Sequence, residues 1–233
     1  MTVVPGPATL AAAAEDRRDP PAGDDERFAG YGVMGLPFAA GHVLAMRRFP
    51  ASSIGPAYTS IWHRDPDGRW AFWQDQPDDR ACPRYFSAAL AETRQVAIQL
   101  DWPAEATLRL AVPELDFEWT ATMARSPVTR LLDAVGSIMP ERAWKARSVL
   151  SVMGPVAGAA LRAGRVGLYG SVPNGQRFVA NPLKIWLVAD TSARLGDHDL
   201  GPMGPLDQQA RLGDFWIPQR GVFAMGRAFF TSD

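Results

Sequence analysis

Apolar and polar residues alternate with a period of two from Phe28 to Met123, with turn-forming sequence at short intervals. The run LDFEWTATM, residues 115–123, shows the pattern best, because every second residue in it is apolar. Successive side chains of a β-strand point to opposite faces of the sheet, so this alternation is typical of strands. About seven such runs with short breaks predict an antiparallel meander. A parallel sheet is not expected, because the sequence does not alternate between strand-like and helix-like segments.

The period changes at Ser126-Pro127, where a capping residue is followed by proline at the first helical position. Apolar residues then recur at helical spacing. Pro140 is predicted to open a second helix that breaks at Gly154-Pro155, and a short third helical piece follows. We interpret residues 127–163 as a helical insertion within a β protein.

Strand-like sequence resumes at residue 165. The stretches 165–172, 176–190 and 215–230 alternate again, and Pro173-Asn174-Gly175 is a strong turn signal between the first two. A total of about nine or ten strands should close on itself, because exposed sheet edges promote aggregation. We therefore predict a mainly β protein whose antiparallel meander closes into a β-barrel, with the helical insertion at about 127–163.

The chain has 233 residues, a length that all-β barrels often reach as one domain. Residues 1–27 are rich in Ala, Pro, Asp and Arg and have little to bury, which predicts a flexible N-terminal tail. Residues 28–233 are then a single β-barrel domain. The N-terminus lacks the basic region of a signal peptide, and Cys82 is the only cysteine, so we expect a cytoplasmic protein in a reducing compartment.

The chain has 24 basic and 25 acidic residues, so no large net charge attracts nucleic acid. No apolar run approaches the roughly 20 residues that span a bilayer. We therefore expect no nucleic-acid partner and no membrane span. The apolar stretch 149–161 is open to three interpretations: packing against the sheet, a lid over a barrel mouth, or contact with a membrane surface.

The stretch SIWHRDPDGRWAFWQD, residues 60–75, contains three of the eight tryptophans and a turn signal at 65–68. With that turn, Arg64 is predicted to lie opposite Arg69, and large aromatic side chains then fall on both faces of the hairpin. A strand pair on a half-exposed sheet has one polar face, and this pair has none. The sequence therefore predicts that both faces of this hairpin are covered.

On that pairing, Tyr58, Trp62 and Trp73 share one face of the hairpin. Rigid aromatic area with a few polar groups is typical of ligand cavities. We predict that this face lines a cavity for a small hydrophobic molecule, with Trp119 as a further ligand-binding residue. The alternative is that Trp62 and Trp73 pack under the helical insertion or the N-terminal segment.

Three carboxylates, Asp75, Asp116 and Glu118, are candidate catalytic groups, and a nearby histidine is the alternative to them. Asp116 and Glu118 are predicted to share one strand face, and a carboxylate enclosed by an apolar barrel has a raised pKa that suits a general acid or base. The alternative is that this face meets solvent. Lys184 lies in apolar sequence, where it is either a Schiff-base nucleophile or a side chain that extends to solvent.

The common cofactor motifs are missing from the sequence. It has no dinucleotide fingerprint, no phosphate-loop lysine motif and no nucleophile elbow, which excludes NAD, ATP and serine-hydrolase chemistry. The three histidines, His42, His63 and His198, are distant in sequence, and no Cys/His spacing matches a zinc site. We expect no cofactor and no metal.

The strand rhythm over 28–123 and 165–230, with aromatic stretches such as SIWHRDPDGRWAFW, resembles that of bacterial lipocalin-like barrel proteins, which include the carotenoid hydratase relatives. The resemblance implies a barrel that holds an apolar ligand. Two functions stay open: binding of a small hydrophobic molecule in a barrel cavity, or a cofactor-independent isomerase, hydratase or cyclase that acts on a hydrophobic substrate by acid–base catalysis. A scaffold that presents the 127–163 helices to a partner is a third hypothesis.

Overall fold

The computed structural model describes residues 5–140 and 142–232. Its α-helices are α1 (Pro7–Glu15), α2 (Pro83–Phe86), α3 (Pro127–Ile138) and α4 (Arg147–Leu161). Short 3-10 helices occupy Asp78–Arg80, Ser87–Ala89, Pro113–Leu115 and Ala143–Lys145. The strands are β1 (Glu26–Pro37), β2 (Val43–Ser52), β3 (Tyr58–Arg64), β4 (Trp70–Gln74), β5 (Glu92–Gln95), β6 (Gln99–Ala104), β7 (Thr107–Val112), β8 (Phe117–Ala124), β9 (Tyr169–Ser171), β10 (Arg177–Leu195), β11 (His198–Asp199), β12 (Arg211–Leu212), β13 (Phe215–Trp216) and β14 (Val222–Thr231).

One continuous sheet has the strand order β5-β4-β3-β2-β1-β14-β10-β8-β7-β6, and β9 and β11 pair with β10 beside this path. The strands β12 and β13 form a separate two-stranded ribbon. The β4–β5 pair is parallel, whereas the neighbouring pairs along the path are antiparallel. With 43% strand and 23% helix, the predicted mainly β fold is confirmed, and α3 and α4 lie inside the predicted insertion at 127–163.

The sheet is strongly curled. Trp73 on β4 and Phe117 on β8 have ring centroids 5.1 Å apart, although five strands separate β4 from β8 along the sheet. Only a sheet that bends back on itself brings these rings together, so the face that carries them is the inside of a half-barrel. The buried residues of this inner core come from both arms of the sheet and include Met46, Ile61, Leu110, Trp119, Trp186 and Phe223.

A second core covers the outer face of the same sheet. Phe28, Trp62 and Phe72 are fully buried there under Tyr85 and Phe86 of α2. The chain segments around β9, β12 and β13 complete the cover through Val172, Leu212 and Ile217. The sheet therefore has apolar residues on both faces in this region, as the aromatic hairpin sequence predicts.

The pairing within the β3–β4 hairpin differs from the sequence prediction by one residue. Arg64 lies opposite Trp70 rather than Arg69, so Trp62 pairs with Phe72, and Ile61 pairs with Trp73. A shift of one residue moves every side chain of a strand to the other face. The prediction that Trp62 and Trp73 share a face is therefore wrong.

The physical reason for this shift lies in the hairpin loop. The loop runs over residues 65–69, closed by a hydrogen bond from the Asp65 N–H to the Arg69 carbonyl (2.9 Å). The side chain of Asp65 also accepts from the Arg69 N–H (2.8 Å). Gly68 takes a φ of +90°, which places it in the left-handed region that glycine adopts without strain. The loop is thus one residue longer than the Asp65–Gly68 turn signal indicates.

The N-terminal segment contains a packed helix. Pro7 stands at the start of α1, and the alanines after it favour helix formation. Ala11 is buried against the inner core, and Glu15 accepts hydrogen bonds from Tyr31 (2.8 Å) and Arg48 (2.7 Å). This packing differs from the expectation that residues 1–27 have little to bury. Of that predicted tail, residues 1–4 lie outside the described residues.

Helix α3 begins where the sequence predicts. Ser126 caps it by accepting from the Thr129 N–H (3.1 Å), and the Thr129 hydroxyl accepts from the Ser126 N–H (2.9 Å). Asp133 ties this helix to β10, because its Oδ1 accepts from the Ile185 N–H (2.8 Å) and its Oδ2 lies 3.4 Å from Arg125 Nη2. The helical insertion is therefore fixed to the sheet through buried polar contacts.

Helix α4 runs through Gly154-Pro155 without the predicted break. A proline removes one main-chain donor from a helix interior, and tertiary packing compensates for it here. Gly154 and Gly158 are buried against the carbonyl groups of Val166 and Gly164, an approach that only a residue without Cβ permits. Within the described ranges, no helix is long and apolar enough to cross a membrane.

Candidate functional site

A cavity of about 150 Å³ lies on the outer face of the sheet. Its floor comes from β1, β2, β3, β10 and β14, and its cover comes from α2, α4 and the segments 166–168 and 215–218. Aromatic side chains make up much of the wall: Phe49, Tyr58, Trp62, Phe86, Phe178 and Phe215. The wall is therefore largely apolar and rigid.

The exposed Arg227 and the buried Arg47 both line this cavity, and the buried charge in its wall is that of Arg47. Arg47 lies on β2 and is 5% exposed. Its Nη1 donates to the carbonyls of Val33 (2.6 Å) and Met46 (2.9 Å), and its Nη2 donates to that of Met34 (3.2 Å). Over the part of the chain that the structure describes, no carboxylate lies within ion-pair distance of this guanidinium.

Burial of an unpaired cation is unfavourable, and the surroundings of Arg47 show how it is tolerated. The guanidinium carbon lies 4.5 Å from the centroid of the Trp62 ring and 5.5 Å from that of Phe215, and both rings contribute cation–π attraction. Burial lowers the pKa of Arg47 to about 10, so the group stays charged at neutral pH. The cavity therefore holds a fixed positive charge.

The next residue along the strand, Arg48, has its charge balanced by an ion pair. Arg48 points to the opposite face of β2 and pairs with Glu15 at 2.7 Å. Among the described residues, the two adjacent arginines thus differ in their partners: Arg48 has a carboxylate, whereas Arg47 has carbonyl oxygens and aromatic rings. Arg47 is therefore a buried cation without an anionic partner in the described chain.

Two neutral polar groups lie beside Arg47 in the cavity wall. The Tyr58 hydroxyl is 3.7 Å from the Cys82 thiol, and both residues are buried. Burial raises the pKa of the Tyr58 hydroxyl and that of the Cys82 thiol, so both groups are neutral at pH 7. They supply hydrogen-bonding groups but no charge.

The four predicted ligand-binding residues separate into two pairs. Tyr58 and Trp62 line the cavity. Trp73 and Trp119 lie on the inner face of the sheet, where they are buried in the inner core. There the Trp119 Nε1 donates to the Thr191 hydroxyl (3.0 Å). The structure therefore does not bring Trp73 and Trp119 into this cavity.

The three predicted catalytic carboxylates lie away from the cavity. Asp116 is exposed, with a φ of +48° in the turn before β8, and Glu118 is exposed on β8. Asp75 is half-buried and accepts from the Thr59 N–H (2.8 Å), and burial raises its pKa. Among the described residues, the cavity wall contains no Asp or Glu. Lys184 is half-exposed on β10 and does not line the cavity.

The structure also brings together two histidines that are distant in sequence. His42 Nδ1 and His63 Nε2 are 3.1 Å apart, and their rings stack with centroids 5.3 Å apart. Burial, followed by the proximity of His42, lowers the pKa of His63 to about 4. Across the described ranges, no three His, Cys, Asp or Glu side chains cluster in a way that could hold a metal ion.

A wider, more open pocket of about 690 Å³ adjoins the cavity. Val166, Gly167, Leu168 and Trp216 line both spaces, so they form the wall between them. Arg165 lies over the Trp216 ring at 4.4 Å. The outer pocket is more polar than the cavity. It lies on the other side of the shared wall, beside α4.

Fold and cavity together define a half-barrel β protein whose outer sheet face carries an apolar cavity with the buried guanidinium of Arg47 in its wall. A scan against models of known protein families found no match, and neither did a search among curated proteins. Among solved structures, the chain is similar to an acetoacetate decarboxylase from Legionella pneumophila, with a TM-score of 0.41 and 13% identity. The match covers 92% of this chain and 87% of that chain. At this level of similarity we transfer no residue role.

Proposed function

We propose that this protein binds a small, largely apolar molecule that carries a carboxylate or a similar anionic group. The observation that carries the proposal is Arg47, a buried guanidinium without a carboxylate partner in the described chain, in the wall of an apolar cavity. An anion beside Arg47 would offset the unfavourable burial of its charge. Guanidinium groups bind carboxylates through charge-assisted hydrogen bonds that are stronger than neutral ones.

The size of the cavity limits the part of the ligand that it encloses. An apolar cavity of about 150 Å³ in another protein holds one benzene ring. We therefore expect the enclosed part to be one ring or a short branched chain, with Tyr58 and Trp62 against its apolar surface. The resemblance to lipocalin-like proteins predicts a cavity inside the barrel, but the inside of the curl is filled by the inner core and the cavity lies on the outer face. The apolar wall of the cavity, rather than the resemblance, therefore supports an apolar ligand.

The alternative function, acid–base catalysis without a cofactor by the predicted carboxylates, requires one of them to lie desolvated beside the substrate. Asp116 and Glu118 are exposed, and Asp75 does not line the cavity. The neutral Tyr58 and Cys82 do not replace them as a base at pH 7, because burial raises the pKa of both groups. We therefore propose binding rather than catalysis by these three carboxylates.

A titration with matched pairs of ligands tests the proposal. Aromatic and branched short-chain carboxylates, each paired with its uncharged amide, are added while calorimetry and tryptophan fluorescence are recorded. We expect the carboxylates to bind at least about tenfold more tightly than the amides, since a hydrogen bond to a charged group contributes roughly 1.5–3 kcal/mol.

Two variants of adjacent residues give the control. Arg47→Gln should remove the preference for carboxylates, whereas Arg48→Gln should keep it, because Arg48 lies on the other face of the sheet with Glu15. If no ligand of either charge produces heat or a fluorescence change, the proposal is wrong. Equal affinity for carboxylates and amides would retain the cavity as a binding site but refute the role of Arg47.

A further inference from the structure

The helical insertion exposes large apolar side chains. On α3, Leu131, Val135 and Ile138 are 64%, 43% and 81% exposed, and on α4, Val152 and Val156 are 62% and 56% exposed. In the described chain, just one other large apolar side chain, Met203, is comparably exposed. We call these five residues of α3 and α4 the apolar patch.

The arrangement of the patch is not that of ordinary surface helices, whose exposed face is polar. Leu131, Val135 and Ile138 are spaced four and three residues apart, so they form one stripe along α3. The opposite side of α3 is already occupied, since Thr129, Asp133 and Gly136 are buried. The stripe is therefore left without a partner inside the chain.

Helix α4 also exposes apolar side chains, and most of its length carries no charge. From Ser148 to Leu161 it has no charged residue, and its exposed positions there include Pro155, Ala159 and Ala160. The two helices contact each other, so the exposed apolar residues of both belong to one packed helical unit. Exposed apolar patches of this kind mark sites that interact with a membrane or another protein.

Basic residues flank the patch in sequence. Residues 127–163 contain five basic and two acidic residues, in a chain whose formal net charge is −1. Arg130, Arg142, Arg147 and Arg162 are all exposed. One of the two acidic residues, Asp133, is buried against β10 and does not offset their charge at the surface. The insertion therefore combines exposed apolar side chains with a local positive charge.

We propose that the α3–α4 face docks on an anionic lipid surface, with the apolar patch in the interface and the arginines at the level of the phosphate groups. Helices with an apolar face and flanking Lys or Arg bind lipid interfaces without spanning the bilayer. A second copy of the chain fits the same surface less well, because two such faces would place arginines against arginines. The lipid headgroups neutralise this charge instead.

The position of α4 gives this docking a consequence for the cavity. Ala157 and Leu161 line the cavity on the outer face of the sheet, and Val152 and Val156 lie on the exposed side of the same helix. A lipid surface that covers the patch would therefore lie beside the cavity wall. The docking itself does not depend on the proposed ligand, so the two proposals stand or fall separately.

Flotation with vesicles, with no added ligand, tests the docking. The full chain is mixed with vesicles of phosphatidylcholine and phosphatidylglycerol, or of phosphatidylcholine alone, and the floated fraction is measured. We expect flotation with the anionic vesicles, weaker flotation with the neutral ones, and a decrease as the salt concentration rises.

Three variants separate the contributions. The double variant Ile138→Ser/Val152→Ser should abolish most flotation, and Met203→Ser, a matched exposed apolar residue outside the insertion, should leave it unchanged. The charge variant Arg130→Gln/Arg147→Gln should lower the partition coefficient by roughly 25-fold, about fivefold for each basic residue. All of these side chains are exposed, so circular dichroism and the melting temperature should stay close to those of the parent protein.

Three results would overturn the proposal. The first is that the parent protein does not float with anionic vesicles. The second is that the patch and charge variants float as well as the parent. The third is that the parent protein does not bind vesicles, while sedimentation velocity shows a dimer that Ile138→Ser disrupts. This result would assign the face to a second copy of this chain.

Discussion

The guanidinium carbon of Arg47 lies 4.5 Å from the centroid of the Trp62 ring, and both side chains line the same cavity. Trp62 also stacks on Phe72, with ring centroids 4.4 Å apart and an angle of 12° between the ring planes. The indole is therefore held in a fixed position beside the enclosed charge. Trp62 is therefore the indole whose fluorescence we expect to change if an anion binds at Arg47.

A carboxylate ligand should stabilise the folded protein. A ligand that binds only the folded state at 100 times its Kd adds about 2.7 kcal/mol to the free energy of unfolding. We expect a corresponding rise in the melting temperature of the parent protein and of Arg48→Gln, and a clearly smaller rise for Arg47→Gln, because a tenfold weaker affinity roughly halves the added free energy at the same ligand concentration. A rise of the same size in Arg47→Gln would contradict the role of Arg47, and differential scanning fluorimetry is sufficient to measure it.

The two faces of the hairpin should respond differently to substitution. Trp62→Phe removes part of the cavity wall and the indole beside Arg47, so the affinity for the ligand should fall about tenfold, as expected when a cation–π contact and buried apolar area are lost together. Trp73→Phe changes the inner core, where Trp73 packs against Phe117, and should lower stability without changing affinity. Calorimetric titration of both variants distinguishes the faces, and an affinity loss in both variants would favour the pairing predicted from the sequence.

Most of the strands and the start of the helical insertion could be predicted because their signals are local, although the region 28–123 predicted as a meander also contains α2 (Pro83–Phe86). Alternation over 115–123 depends only on neighbouring residues, and the cap at Ser126 needs just the next three. The cavity could not be predicted in this way. Arg47 and Arg48 are adjacent residues of the same type. Only the bend of the sheet and the position of Glu15 decide which of them forms an ion pair with a carboxylate of the chain.

The assignment of faces failed for a similar reason. The side of the sheet on which Trp73 lies depends on whether the hairpin loop has four or five residues, and the turn signal at Asp65–Gly68 is compatible with both lengths. The contact between His42 and His63 likewise follows from the register of β2 and β3, in which Leu44 lies opposite His63. Register is a property of two paired strands, so it cannot be predicted from the sequence of one strand alone.

Removal of the Asp133 carboxylate should loosen the helical insertion. Asp133→Leu leaves the Ile185 N–H without its acceptor and Arg125 without its carboxylate partner. An unsatisfied buried donor costs about 1–3 kcal/mol, so the free energy of unfolding in urea should fall by roughly this amount. Asp133→Asn keeps an acceptor for Ile185 and should lose less. Equal stability of Asp133→Leu and the parent protein would show that this contact does not anchor α3.

The buried His63 should make the protein less stable in mild acid. Burial and the nearby His42 lower the pKa of His63 in the folded state from 6.5 to about 4, whereas the unfolded chain takes up a proton near the ordinary value. Between these two pH values the unfolded state binds more protons, so the free energy of unfolding falls as the pH falls through this window. The full loss is on the order of 3 kcal/mol.

Urea denaturation at pH 7 and pH 5 measures this effect, and His63→Gln supplies the comparison. The variant has no titrating ring at this position, so its stability should change less between the two pH values than that of the parent protein. Ion-paired carboxylates such as Glu15 contribute to both proteins alike and lose their stabilising effect at lower pH. If the parent protein and His63→Gln lose the same stability between pH 7 and pH 5, protonation of His63 is not the cause.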